Sequence, residues 1–175
     1  MMNNNGMTLI ELVIVVTVIG ILAAALAFSF QGWIGSYNVE SQIKEMHIDL
    51  MNARAMAMKK NKMHFVDLTT TQYSIYEDTD PAPDGDGDAD PGNDDPVSQK
   101  NLDARYPIAW SDAADTRIEF NIRGLSRDDK TVCSNTTVDA DYDCISISAT
   151  RINMGELTTP LTEGGACSAA NCVAK

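Results

Sequence analysis

The sequence predicts an α+β protein: one long N-terminal α-helix, half membrane-spanning and half amphipathic, packed on an antiparallel β-sheet head. Three observations predict it. Residues 12–33 contain no charged side chain, apolar residues then recur at three- and four-residue steps from Val39 to Ala57, and beyond Asn61 the pattern turns to period two. A helical pattern followed by strand runs is the order of an α+β chain and not of βαβ repeats.

The first element begins with residues 12–30, an apolar run broken only by Thr17, Gly20 and Ser29. At 1.5 Å per residue it extends roughly 28 Å, close to the ~30 Å hydrocarbon core of a bilayer. A cleaved secretory signal is the competing reading, with Ala23, Ala24 and Ala25 imitating its cleavage site, but its apolar region is usually about 7–15 residues. Glu11 stands at the head of the run, where an unpaired carboxylate in lipid costs a few kcal/mol, ~3 on insertion scales. No Lys or Arg is near it, so the available cation is an α-amino group created by cleavage near Gly6.

The amphipathic half follows, with Val39, Ile43, Met46, Leu50, Ala53 and Ala57 on one stripe and Glu40, Lys44, Asp49 and Lys59 off it. Such a face is laid on a core. Met46, Met51, Met56 and Met58 read as packing residues rather than a ligand box, and His47 and His64 lack a second ligand at metal spacing. Residues 63–68 and 72–76, joined by 69–71, read as a hairpin; residues 117–122, 144–148 and 151–154 are further strand candidates.

These residues carry a family resemblance. Gly6-Met7-Thr8-Leu9-Ile10-Glu11-Leu12, followed by Val-Ile-Val-Val-Thr-Val-Ile-Gly-Ile-Leu-Ala-Ala, closely resembles the class III signal of type IV pilins and type II secretion pseudopilins. The resemblance implies cleavage by prepilin peptidase after Gly6, methylation of Met7, and pairing of Glu11 with the N-terminal amine of a neighbouring subunit during assembly. It divides the chain into a leader (1–6), a transmembrane and filament-core helix (7–33), an amphipathic helix (34–61) and a periplasmic β-rich head (62–175). It places the protein in the bacterial inner membrane by a single pass, to be extracted into a pseudopilus or pilus with other pilin or pseudopilin subunits. Met7 replaces the commoner Phe, the leader has no Lys or Arg, and Phe28 stands where many major pilins have a kinking proline. The last departure points to a pseudopilin or minor pilin with a straighter helix.

Residues 49–68, 118–126 and 144–157 look like the GspH/FimT family of minor pseudopilins and minor pilins, implying a minor subunit of a type II secretion pseudopilus supporting protein secretion. A minor type IV pilin for pilus assembly is the alternative, and a FimT-like DNA-uptake pilin a further one. DNA-uptake members use a GRxR-like segment; the matching place, residues 149–153, has Arg151 alone. The net charge of −12 also argues against nucleic acid as a partner. No G-x-S-x-G, Walker loop or paired histidines suggest an enzyme.

The charge is concentrated. Glu77, Asp78, Asp80, Asp84, Asp86, Asp88, Asp90, Asp94 and Asp95 fall in one stretch without a base, leaving 16 acidic against 13 basic residues elsewhere. This acidic loop (77–96) has two readings. Asp84, Asp86, Asp88, Asp90 and Asp95 occupy positions one, three, five, seven and twelve of an EF-hand loop, so Ca²⁺ is a possible cofactor, although Ala89 replaces the usual glycine and flanking helices are lacking. Alternatively it is a solvated loop rich in Pro, Gly and Asp. The four cysteines, Cys133, Cys144, Cys167 and Cys172, have no C-x-x-C zinc spacing, and the implied periplasm favours disulfides. Of three connectivities, nearest-neighbour pairing, Cys133–Cys144 and Cys167–Cys172, closes the shortest loops and is the expectation.

Overall fold

A computed structural model describes residues 7–80, 85–127 and 129–175, with the side chains of residues 25–31 outside that description. The two expected helical halves are one continuous helix, α1 (Leu9–Lys60), of 52 residues. It stops at Asn61, whose left-handed φ of 57° suits asparagine, with Lys59 and Lys60 in the last turn facing the negative end of the helix dipole. The expected stripe is the buried one: Val39, Ile43, Met46, Leu50, Ala53 and Ala57 are each at most 1% exposed. Met51 and Met58, expected to pack, are instead exposed.

The head contains β1 (His64–Thr69), β2 (Gln72–Glu77), β3 (Asp95–Asn101), β4 (Ile108–Trp110), β5 (Arg117–Phe120), β6 (Lys130–Ser134), β7 (Cys144–Ile147), β8 (Ile152–Leu157) and β9 (Cys172–Ala174). The expected antiparallel β head is made of two sheets, one four-stranded, β3-β2-β1-β5, and one five-stranded, β4-β6-β7-β8-β9. All pairings are antiparallel. The stripe of α1 covers both, meeting Val66, Tyr73, Ile118 and Phe120 from one and Val132, Ile145, Ile147 and Ile152 from the other. The acidic stretch is narrower as a loop than 77–96, because Glu77 ends β2 while Asp95 and Pro96 begin β3.

Polar pins flank the apolar stripe. Gln42 Nε2 donates to the Tyr106 carbonyl at 2.8 Å and its Oε1 accepts from Asp103 N at 3.0 Å. Tyr73 Oη donates to Asp49 Oδ2 at 2.7 Å, and Ser36 Oγ donates to the Asp139 carbonyl. The Gln42 and Tyr73 bonds satisfy part-buried groups that packing would otherwise strand, so the helix is held in one register against the head.

All four cysteines are bridged, but not as nearest neighbours: the bonds are Cys133–Cys167 and Cys144–Cys172, with sequence separations of 34 and 28. The reason lies in the return of the tail. Cys133 and Cys144 face each other across β6 and β7, and the C-terminal segment folds back so that β9 pairs with β8, Leu157 opposite Cys172 and Gly155 opposite Ala174. A Cβ at Gly155 would overlap the Val173 carbonyl. Glycine there lets β9 close over β8, bringing Cys172 to 6.0 Å from Cys144 between Cα atoms. Short loop length is thus overruled by a tertiary contact.

Candidate functional site

The helix N-terminus is built by residues 8–11. Thr8 is extended and caps α1; its Oγ1 accepts from Glu11 N at 3.3 Å, while Glu11 Oε2 accepts from Thr8 N at 3.5 Å. This reciprocal capping box satisfies two otherwise orphaned donors and sets a carboxylate against the positive end of the helix dipole. Glu11 was expected to meet an amine; the structure places its carboxylate at the amide of the residue after Met7. The Thr-x-x-Glu spacing before an apolar run was a readable signal for this cap. Gly6 lies outside the described residues.

Downstream of the cap, the described side chains through residue 24 are all exposed, including Leu9 at 82%, Ile10, Leu12, Val13 and Ile14. Among the described residues no helix is long and apolar enough to cross a membrane; the expected span of 12–30 runs into residues 25–31, whose side chains lie outside the description. Trp33 and Tyr37, both exposed, stand with ring centroids 6.5 Å apart at the point where the bare half of α1 gives way to the packed half.

At the opposite end of α1 lies the acidic segment. Lys60 pairs with Glu77 Oε2 and Lys62 lies 3.8 Å from its Oε1. His64, fully buried, has Nε2 3.8 Å from the same carboxylate and Nδ1 3.3 Å from the Lys62 carbonyl. Burial holds the His64 imidazole below its usual range. Two further carboxylates in the loop are buried, Asp78 and Asp94. Burial also pushes the Asp78 carboxyl up, against the Gly87 amide that favours its ionised form. Of the expected calcium ligands, Asp84 lies outside the described residues. Asp86, Asp88, Asp90 and Asp95 are exposed, Asp86 Oδ1 accepting from Asp88 N and Asp95 N donating to Thr79 Oγ1. Among the described residues no three His, Cys, Asp or Glu side chains are gathered as a metal-holding group.

Arg151 sits at the β7–β8 turn with an exposed side chain. Sequence spacing missed its neighbour: Arg54, nearly one hundred positions away on α1, donates through Nη1 to the adjacent Thr150 carbonyl at 2.9 Å.

Comparison with known proteins agrees with this geometry. The prokaryotic N-terminal methylation motif matches residues 1–27. No curated protein matches the chain. Among solved structures, the type IV minor pilin FimU of Pseudomonas aeruginosa (strain PAO1) is 16% identical, with a TM-score of 0.51 over 70% of this chain and 91% of that one. The minor pseudopilin EpsH from the type 2 secretion system of Vibrio cholerae is 10% identical, with a TM-score of 0.50 over 68% of this chain and 97% of that one. At such identities the likeness establishes the fold, while the leader motif is established from the sequence. The chain therefore carries a prepilin-type N-terminal methylation motif on an α+β fold shared with a type IV minor pilin and a minor pseudopilin.

Proposed function

We propose that this chain is a minor subunit of a type II secretion pseudopilus, processed by prepilin peptidase after Gly6, methylated at Met7 and assembled through α1 to support protein secretion. One observation carries the filament reading: a continuous helix whose N-terminal half is apolar and exposed, joined without a break to a half buried on the head. An apolar surface of that extent needs lipid or other helices around it. Within the bacterial inner membrane, residues 7–33 serve as the single-pass anchor, Trp33 and Tyr37 lie at the interface where aromatic rings are favoured, and the disulfide-bridged head faces the periplasm. On extraction the same surface exchanges lipid for neighbouring pilin-like helices.

Glu11 acts in that exchange. Its carboxylate, held beside the Thr8 amide by the capping box, is poised to turn to the methylated amine of an adjacent subunit, since two charges in a low-dielectric core gain most by meeting each other. The experiment is expression of the full chain with a prepilin peptidase, followed by mass spectrometry of the N-terminus and cross-linking to filament subunits in a secretion-competent host. A methylated Met7, failure of processing in Gly6→Val, and lost secretion on deletion of the chain are expected. An unprocessed N-terminus would refute the precursor reading; normal secretion with impaired pilus assembly would assign the chain to a type IV pilus instead.

A further inference from the structure

In a chain with so many acids a base rarely stands without a carboxylate, and the exceptions are not scattered. Of the 13 Lys and Arg residues, nine form ion pairs with described carboxylates. Arg54, Lys59, Arg123 and Arg151 form none among the described residues, and the fold collects them. Arg54 is the centre: its Nη1 donates to the Thr150 carbonyl at 2.9 Å, and a Cβ on Gly124 would stand 3.2 Å from its Cγ. Arg123 and Arg151 are the chain neighbours of those two contacts, and both are exposed, as is Lys59 further along α1. The turns that carry them are built. Asn121 Oδ1 accepts from Arg123 N at 2.9 Å and Leu125 N at 3.0 Å, and Gly124, at a φ of +69°, seats that turn so close to Met58 that a Cβ would stand 2.8 Å from it. Ser148 N donates to the Arg151 carbonyl at 2.8 Å, closing the β7–β8 turn, and Ser126 N donates to the Ala149 carbonyl at 3.0 Å, tying turn to turn. Like charges gathered without a counter-charge oppose the compact state and call for an anion.

We propose that Arg54, Arg123 and Arg151, with Lys59 at the edge, form a docking patch for a short carboxylate-bearing segment of a neighbouring subunit. Guanidinium forks pair with carboxylates through parallel N–H···O bonds, and Arg54 arrives with its guanidinium already fixed on Thr150. What borders the patch favours a short acidic segment over a nucleic acid. Glu119 lies beside it in a pair with Arg127, Asp129 is exposed on the adjoining connection, and Glu77 stands beyond Lys60 at the end of α1. A phosphate backbone carries its charge continuously and would run onto these carboxylates, whereas a segment with a few acids ends within the patch. That the segment belongs to a neighbouring subunit rests on the filament reading; the preference of the patch for carboxylates does not.

The test is fluorescence anisotropy with the full chain in non-ionic detergent at about 0.15 M NaCl, where charges more than ~8 Å apart are largely screened. The probes are a fluorescein-labelled Gly-Asp-Gly-Asp-Gly-Asp-Gly peptide, its Asn counterpart and a short labelled DNA duplex. Expected are saturable binding of the Asp peptide that weakens as NaCl is raised, and no binding of the Asn peptide. Arg123→Ser and Arg151→Ser, both at exposed positions, should each weaken binding by about two- to fivefold, as exposed charge pairs do, and the double variant by about tenfold. Arg105→Ser removes the same charge from a pair with Asp103 elsewhere on the head and should change nothing. The proposal is overturned by an absence of saturable binding, by equal binding of the Asn peptide, by an equal loss in Arg105→Ser, or by tighter binding of the duplex with the same dependence on Arg123 and Arg151. A chain methylated at Met7 that ignores the Asp peptide refutes the patch and not the filament reading. Peptide binding by a chain that is never processed supports the patch and refutes its assignment to a filament.

Discussion

The two halves of α1 share one backbone geometry and differ in everything that surrounds it. From Val39 to Ala57 the helix buries a narrow stripe on two sheets and is pinned by Gln42, Asp49 and Arg54. From Leu9 through residue 24 the described side chains are exposed. An isolated helix is marginal in water, and most helix stability in proteins comes from packing one face. The packed half meets that need within the chain. Among the described residues through 24 the bare half has no face covered by the rest of the chain, and it is apolar nearly all round where the other is striped.

The largest effect should come from placing a charge in each half. Ile43→Asp puts an unpaired carboxylate in the core, at a cost of about 3–5 kcal/mol or more, a large part of a domain stability of roughly 5–15 kcal/mol. Urea unfolding followed by circular dichroism should show a lost or strongly weakened head transition. Ile14→Asp should leave that transition within about 0.5 kcal/mol of the parent while releasing the chain from membrane fractions. A weakened head in Ile14→Asp would mean that the halves are coupled and the contrast is wrong.

Removal of a bridge comes next and tests the head alone. Closing a loop of 28 or 34 residues contributes about 3–4 kcal/mol in the chain-entropy account, more than the short loops of nearest-neighbour pairing would. Cys144→Ser with Cys172→Ser should lower head stability by that amount without altering membrane retention. Peptide mapping under non-reducing conditions should recover the pairs Cys133–Cys167 and Cys144–Cys172, and recovery of Cys133–Cys144 would refute the tail's path.

What could be read in advance divides along the same line. The stripe on α1 was legible because periodicity alone determines which face is buried, and the hairpin of β1 and β2 was legible from alternation. The strand β6 was not: Lys130, Thr131, Val132, Cys133 and Ser134 are all buried, so no alternation exists, and Lys130 is tolerated only because its Nζ meets Asp115 Oδ2 at 2.8 Å and two backbone carbonyls. β3 opens on Asp-Pro and reads as the end of a loop. At the candidate site, the Glu11 position was legible from its motif, whereas the burial of Glu77, Asp78 and Asp94 among nine acidic residues is not encoded in their spacing. The disulfide pairing likewise depends on Gly155 admitting β9, a contact between segments far apart in sequence.

A smaller effect separates the halves by pH. His64 in the head is faced by Glu77, Lys60 and the Lys62 carbonyl, and its folded value lies below the 6.5 of the unfolded chain because of burial. The unfolded state then takes the proton first, so this stability is fully present above pH 6.5 and is lost as pH falls below it. Asp78 and Asp143, raised by burial, act with the opposite sign, favouring the fold as pH falls from their raised values toward 3.8. Comparing the parent with His64→Asn between pH 8 and 5.5 isolates the histidine: the parent should lose stability relative to the variant as pH falls. Parallel profiles would remove His64 from the account.

The smallest expected effect bears on the cap. Thr8→Ala deletes the hydroxyl that accepts from Glu11 N and frees the Glu11 carboxylate from its place beside the Thr8 amide. Loss of such a cap costs about 0.5–2 kcal/mol of local helix stability. Because the described residues through 24 make no packing contact that buries them, that cost should stay local: amide exchange should quicken over residues 9–12 and remain unchanged over residues 39–57, with the head's unfolding midpoint unmoved. A continuous hydrogen-bonded helix would transmit the disturbance only if packing at its far end were marginal, and the fully buried stripe makes it the opposite. A shifted midpoint in Thr8→Ala would therefore show that the bare half contributes to the head's stability, and that the boundary near Trp33 is one of environment but not of energetics.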